Sequence, residues 1–115
     1  MGAGRAKNRT PFAFKEMIRG VNLLPEAQED IVSAYIWYET ARPGLGDEFM
    51  NSLRESLIRI LEYPSAHPAV GKGLRKARAR RFPYQIFYRK KDGKIVVFAV
   101  HHDSRNPAEW KKRIH

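Results

Sequence analysis

Residues 84–100 read YQIFYRKKDGKIVVFAV. Tyr84 to Arg89 makes one strand, entered through a corner at Phe82-Pro83. Lys91-Asp92-Gly93 has the composition of a tight turn. Ile95 to Val100 is then apolar on both faces, which marks a central strand covered on both sides or shielded by its neighbours. The period of two begins further upstream, at Leu74: Ala77 and Ala79 face one way, and Lys76, Arg78 and Arg80 face the other. These strands predict a small sheet with a basic side.

Upstream of the sheet the period changes to that of a helix. Pro25 sits where a helix can begin, because its missing N–H costs nothing in the first turn. Glu26, Glu29 and Asp30 follow near the positive end of the helix dipole. Ala27, Ile31, Ala34, Tyr38 and Ala41 recur at spacings of four and three and form one buried face, ending near Arg42 before Pro43-Gly44. A second helix is expected from about Asp47 to Glu62, with Phe49, Leu53, Leu57, Ile60 and Leu61 as its buried stripe and Tyr63-Pro64 as its stop. The connection between the two is short, so they should lie antiparallel. A strand from Met17 to Leu24 precedes them, and a short helix from about Pro107 to Arg113 follows the sheet. The expected class is α+β, or broadly α/β: a helical hairpin packed on a small, mostly antiparallel sheet in the order β-α-α-β-β-β-α.

Length and composition restrict what such a chain can do. Its 115 residues suit one domain with one core; residues 1–16 read as a basic tail, in which Phe12 and Phe14 can still dock, and residues 17–115 as the domain. The absence of cysteine excludes disulfides and thiolate ligands. His67, His115 and the adjacent pair His101-His102 give no helical metal-binding spacing, so neither a metal nor a cofactor is expected. No apolar run approaches a bilayer span, and the first sixteen residues lack the apolar core of a secretory signal, so the expectation is a cytoplasmic protein without a membrane partner. The formal charge of +10 calls for a polyanion or an acidic partner without choosing between them.

The densest charge lies between Gly71 and Lys91, where Lys72, Arg75, Lys76, Arg78, Arg80, Arg81, Arg89, Lys90 and Lys91 occur with no acid among them. Guanidinium forks bind phosphates or carboxylates, and strand alternation aims several at one surface; a solvated face is the alternative. His101, His102, Asp103 and Arg105 follow the central strand, where an imidazole can exchange a proton in phosphodiester cleavage. The two histidines point opposite ways, so at most one joins a given site; otherwise His101 bonds the sheet rim and His102 is solvated. Tyr35, Trp37 and Tyr38 are expected to pack against the second helix and the sheet, with Tyr38-Glu39 locking the hairpin. Trp110 anchors the last helix, or borders the basic face where a base can stack on it.

WYETARPGLGDEF from Trp37 to Phe49, HPAV from His67 to Val70, and RFPYQIFYRKKDGKIVVFAVHHDSRNPAEW from Arg81 to Trp110 resemble the ParE/RelE toxin superfamily, over about Val21 to Trp110. The likeness is to the ParE-like branch, often described as plasmid stabilisation proteins. It implies the toxin of a type II toxin–antitoxin pair, held inactive by an acidic antitoxin that often carries a DNA-binding domain. The leading implication is inhibition of DNA gyrase. One alternative is RelE-type endonucleolytic cleavage of mRNA on the ribosome, and another is an inactive homologue that only binds. For the nuclease, the resemblance places the two strand lysines near Lys76 and Arg78. It places a catalytic arginine near Gln85, a second near Ser104 or Arg105, and the catalytic tyrosine near Trp110. Gln85 is uncharged and an indole cannot exchange a proton as a phenol does. Related nucleases use a histidine here, so the nuclease set becomes His101, His102, Arg81 and Arg105, with Asp103 or Glu39 as guesses for a base. Contact with target, nucleic acid or antitoxin would fall to Lys76, Arg78, Arg80, Arg81, Arg89 and Trp110. The antitoxin is expected to lay apolar side chains along the hairpin and carboxylates on the basic strand.

Overall fold

The computed structural model describes residues 17–113; the expected tail over 1–16 and His115 lie outside the described residues. In chain order the elements are β1 (Val21–Leu23), α1 (Pro25–Ala41), α2 (Leu45–Glu62), β2 (Ala69–Gly71), β3 (Leu74–Arg78), β4 (Tyr84–Lys91), β5 (Lys94–His102) and α3 (Ala108–Lys111). The sheet order is β1-β5-β4-β3-β2. Only the β1–β5 pair is parallel; the other pairs are antiparallel. The helical hairpin on a mostly antiparallel sheet is therefore as the sequence predicts, with one short edge strand, β2, added where a plain connection was expected.

The hairpin closes tightly for identifiable reasons. Gly44 takes a left-handed conformation, φ 92°, directly ahead of α2. The Glu39 carboxylate accepts the N–H groups of Gly44 and Gly46, both at 3.0 Å. A Cβ at Gly46 would lie 2.7 Å from the Tyr35 ring. This turn lets α2 start at Leu45, two residues before the acidic pair that marks a helix start in the sequence. β1 is shorter than the expected strand because Met17 to Gly20 form a turn, with Gly20 at φ 91°; Met17 and Ile18 still pack on the core.

That core lies between hairpin and sheet. Ala27, Ile31 and Ala34 of α1 meet Phe49, Leu53, Leu57 and Ile60 of α2 over Ile86, Tyr88, Ile95, Val97 and Val100 of the sheet. Complete burial of a large apolar side chain stabilises by about 1.5–3 kcal/mol, so the two helical stripes hold most of the fold. At the turn end Tyr38 packs edge-on against Phe82, centroids 4.9 Å apart, and Phe49 against Tyr84 at 5.2 Å. The stripe of α1 stops there: Ala41 is exposed. Trp37, expected to pack inward, is 70% exposed; it lies on the flank of the helix, about a quarter turn from the centre of the stripe of Ala27, Ile31 and Ala34. The far face of the sheet carries a second, smaller cluster of Leu74, Phe87, Ala99 and Trp110.

One irregularity decides what each face displays. Phe87 pairs with Ala99 but Tyr88 pairs with Val97, so Phe98 is an extra residue on β5. Val97 and Val100 both enter the hairpin-side core, while Ala99 joins the far-face cluster. His101 accordingly meets Phe87 on the far face, and His102 meets Tyr84 on the hairpin side. Among the described residues no helix is long and apolar enough to cross a membrane.

Candidate functional site

β1 ends opposite Val97, so β5 beyond it has a bare edge on that side, and buried backbone groups need partners. Asp30 of α1 supplies one: its Oδ2 accepts the N–H of Val100 at 2.9 Å. Arg113 supplies another by donating to the carbonyl of Phe98 at 3.0 Å. The two side chains are joined by a forked pair, Nη1 to Oδ2 at 2.8 Å and Nη2 to Oδ1 at 3.1 Å. This bond to Asp30 holds the Arg113 guanidinium above its ordinary pKa. Arg105 approaches the same carboxylate at 3.6 Å and pairs with Glu109 at 2.7 Å. Asp30 is only 8% exposed, so the cluster is a buried charge held by several donors.

His101 lies beside it. The ring is 3% exposed, with Nε2 3.5 Å from Asp30 Oδ2. Neither ring nitrogen makes a hydrogen bond among the described residues. Burial pulls its pKa down to about 4; Asp30 opposes the shift, and Arg105 and Arg113 add to it. The imidazole is therefore neutral at neutral pH. It does not bond the sheet rim, as the sequence suggested for a non-catalytic role. His102 is exposed, and its Nδ1 accepts the N–H of Ser104 at 3.0 Å.

The basic run separates into two places. Lys76 and Arg78 of β3 and Arg89 of β4 occupy the far face. Arg78 is 2.6 Å from Asp103, which also accepts from Gln85 at 3.1 Å. Burial raises the Asp103 pKa, but the bonds from Gln85 and Arg78 outweigh it and leave a net lowering. The Arg89 guanidinium stacks 5.1 Å above the Phe98 ring. Arg80 and Arg81 instead lie exposed at the corner past β3. There the Arg80 carbonyl accepts the Ser52 hydroxyl, and Arg81 is left-handed at φ 69°. Asp103 and Glu39, the two guesses for a base, are both occupied by these local bonds. Trp110 is 8% exposed and stacks on Phe87, centroids 4.6 Å apart; it anchors the last helix.

Two concavities meet at the end of the sheet. A far-face cleft of about 260 Å³ is lined by Lys76, Gln85, His101, Arg105, Trp110 and Lys111 among others. A hairpin-side groove of about 410 Å³ is lined by Ser33, Trp37, Tyr84, His102, Arg105 and Arg113 among others. His102 and Arg105 line both. In the groove, burial pushes the Tyr84 hydroxyl up to about 12. No cluster of acidic or histidine side chains suited to a metal occurs among the described residues. The sequence reading missed Asp30, Arg113 and Trp37. Asp30 carried a signal: it falls three residues after Ala27 and four before Ala34, on the buried stripe itself.

Comparison with known proteins agrees with this architecture. The family model described as "ParE toxin of type II toxin-antitoxin system, parDE" matches residues 21–107. Toxin ParE2 of Mycobacterium tuberculosis, from strains CDC 1551 / Oshkosh and ATCC 25618 / H37Rv, is 29% identical over 92 residues, covering 79% of this chain and 88% of that protein. Two solved structures share the fold. One is from the chromosomal ParDE system of P. aeruginosa, with a TM-score of 0.64 and 16% identity over 75% of this chain and 97% of that one. The other is the isolated E. coli RelE toxin, with a TM-score of 0.53 and 22% identity over 83% of this chain and 97% of that one. The family match over most of the described residues, on a fold built as these toxins are built, makes this chain a member of the ParE toxin family, the toxin component of a type II toxin–antitoxin system.

Proposed function

We propose that this toxin acts by binding rather than by catalysis, with DNA gyrase as its target. The observation that carries the reading is the state of His101. A general acid working at neutral pH needs a pKa near 7; burial holds this imidazole near 4, and its solvent exposure is 3%. The other nuclease positions support the same reading. Gln85 brings no charge, Trp110 is packed on Phe87, and Arg105 is engaged by Glu109. Purified protein should inhibit supercoiling by gyrase; undisturbed supercoiling at doses that arrest growth would overturn the proposal.

A second reading, cleavage of mRNA on the ribosome, is favoured by one observation: Lys76, Gln85, His101, His102, Arg105 and Trp110 line a single cleft. It requires that replacing His101 and His102 together abolish cleavage on translating ribosomes, in a variant whose unfolding midpoint shows it folded. A third, a binding module that has lost toxicity, requires that expression alone leave growth unaffected. In each case the silencing partner is an acidic cognate antitoxin, whose apolar side chains would cover exposed points of the hairpin such as Ile36 and Ile58. Its carboxylates would reach Arg78 and Arg81. Apolar burial would supply most of the affinity and charge would speed association.

A further inference from the structure

We propose that the turn end of the sheet's far face, around Lys91 and Lys94, docks on the phosphate backbone of duplex DNA. This surface lies at the opposite end of β4 and β5 from His101 and His102. It goes beyond the protein target proposed above and rests on that target only for the choice of DNA over duplex RNA. Strand alternation puts Arg89 and Lys91 on the same face as Phe87, and Lys94 on the face away from Ile95, which enters the hairpin-side core. Lys91 is paired directly with Lys94 across the strands, on either side of a turn at Asp92, φ 53°, and Gly93, φ 77°. Like charges facing each other in this way destabilise a hairpin. Lysines also guard the open edges of sheets, but β4 and β5 are interior strands. A local cost without a return in folding marks a surface shaped by a ligand.

Charge decides the sign of that ligand. Among the described residues none of Lys72, Arg89, Lys90, Lys91 and Lys94 is paired with a carboxylate. Asp92 is the one acid between Glu62 and Asp103. The helical hairpin, residues 25–62, carries eight acids against three arginines, so the positive excess lies away from it and a polyanion is drawn to the sheet side. Spacing favours a double helix. Lys94 on β5, Lys91 and Arg89 on β4, and Lys72 in the turn between β2 and β3 span about two strand spacings, roughly 10 Å. Over that length a duplex presents about six phosphate charges. Arg89 is set before a ligand arrives. Its guanidinium lies 5.1 Å above the Phe98 ring and donates to the Lys72 carbonyl at 3.4 Å, so little side-chain freedom remains to be lost. The same stacking covers the Phe98 ring, which leaves a single strand no platform there for its bases. An acidic peptide would need a density of carboxylates that a duplex backbone carries along its whole length.

The test uses the full chain and a fluorescein-labelled DNA duplex of about twenty base pairs, read by anisotropy against salt with no gyrase present. Supercoiling is a separate readout, so failure here leaves the target reading standing. Binding that falls steeply with salt is expected. Lys91→Gln with Lys94→Gln should reduce the slope of log affinity against log salt by about 1.8, two contacts' worth for a duplex. Its urea midpoint should be no lower than that of wild type, because a repulsion is removed. Asp92→Asn, which suits the same turn, should tighten binding about two- to three-fold at low salt. Arg59→Gln with Lys112→Gln, an equal loss of charge at exposed positions elsewhere, should leave the slope unchanged. No binding at low salt, or an unchanged slope for the Lys91 and Lys94 variant, would overturn the proposal. Equal slope losses from the two double variants would overturn it in favour of the overall field of the protein. Tighter binding of an oligothymidylate of equal charge would do so in favour of a single strand. Displacement by oligoglutamate as readily as by unlabelled duplex would do so in favour of an acidic protein segment.

Discussion

Replacing Asp30 with asparagine tests the buried cluster at the edge of β5. The carboxylate accepts the Val100 N–H and two N–H groups of Arg113. Asparagine keeps one carbonyl oxygen, enough for Val100, but turns an amide donor toward the guanidinium. Arg113, whose side chain is 17% exposed, then keeps its charge with two neutral acceptors in place of the carboxylate, the asparagine oxygen it shares with Val100 and the Phe98 carbonyl. Removing one member of a buried pair costs about 3–5 kcal/mol; the residual exposure of Arg113 places this case near about 3. That is a large share of a stability of about 5–15 kcal/mol. With a urea slope of about 1.5 kcal/mol per molar, the midpoint should fall by about 2 M. Because the damage comes from the stranded charge, Asp30→Asn combined with Arg113→Met should lose less than the sum of the two single losses, by about 1–3 kcal/mol. A single loss below about 1 kcal/mol with an unchanged slope, or strict additivity in the double variant, would show that the pair is not what holds the C-terminal segment to the sheet.

Acid should weaken the fold through His101. Its folded pKa, about 4, lies below the unfolded 6.5, so the unfolded chain takes the proton first as pH drops. Stability is then full above about 6.5 and declines toward 4 by at most about 3 kcal/mol. Urea midpoints across that window should fall for wild type and flatten for His101→Phe; parallel curves would refute the assignment. Gly46→Ala should destabilise by about 1–3 kcal/mol, since its Cβ would sit 2.7 and 2.8 Å from Tyr35 ring atoms and 2.9 Å from Glu39 Oε1; thermal unfolding checks this, and a neutral result would mean the hairpin turn is looser than described. Arg78→Glu with Arg81→Glu should slow antitoxin association at low salt and reduce its dependence on ionic strength, since rim charges act mainly on the association rate. Identical stopped-flow rates and salt slopes would remove the basic corner from the docking surface.

The helical hairpin was legible because its stripes repeat: Ile31 and Ala34, then Leu53, Leu57 and Ile60, are the residues the helix period selects, and they are buried. The paired strands around Lys91-Asp92-Gly93 were legible for the same reason. β2 was not, because Ala69 and Gly71 are exposed and the strand is held by backbone pairing to β3, which leaves no side-chain period to read. The candidate site was legible in its residue types but not in its state. His101, Arg105 and Trp110 were singled out, yet the Asp30 carboxylate beside His101 and Arg105 is held by bonds that span 70 residues to Val100 and 83 to Arg113. A contact of that range leaves no trace in local spacing. The exposure of Trp37 was legible in the period, since the stripe of Ala27, Ile31, Ala34 and Tyr38 passes it by, but its aromatic character and its neighbours Tyr35 and Tyr38, which do pack on the core, argued for an inward place.

The extra residue on β5 has a consequence for how this sequence is to be aligned and altered. IVVFAV offers an apolar side chain to either face at every step, so hydrophobicity does not choose between the bulged frame and a regular one shifted beyond Val97. In the regular frame Phe98 would oppose Phe87, and His101 would oppose Tyr84 on the hairpin side. The choice falls to polar fixtures: the Val100 N–H directed at Asp30, and the cross-strand partners Gln85 and Tyr84. Comparing two such chains column by column can therefore match histidines that look out of opposite faces. Transplanting this strand end into a relative without its bulge would carry the letters across and leave their orientation behind.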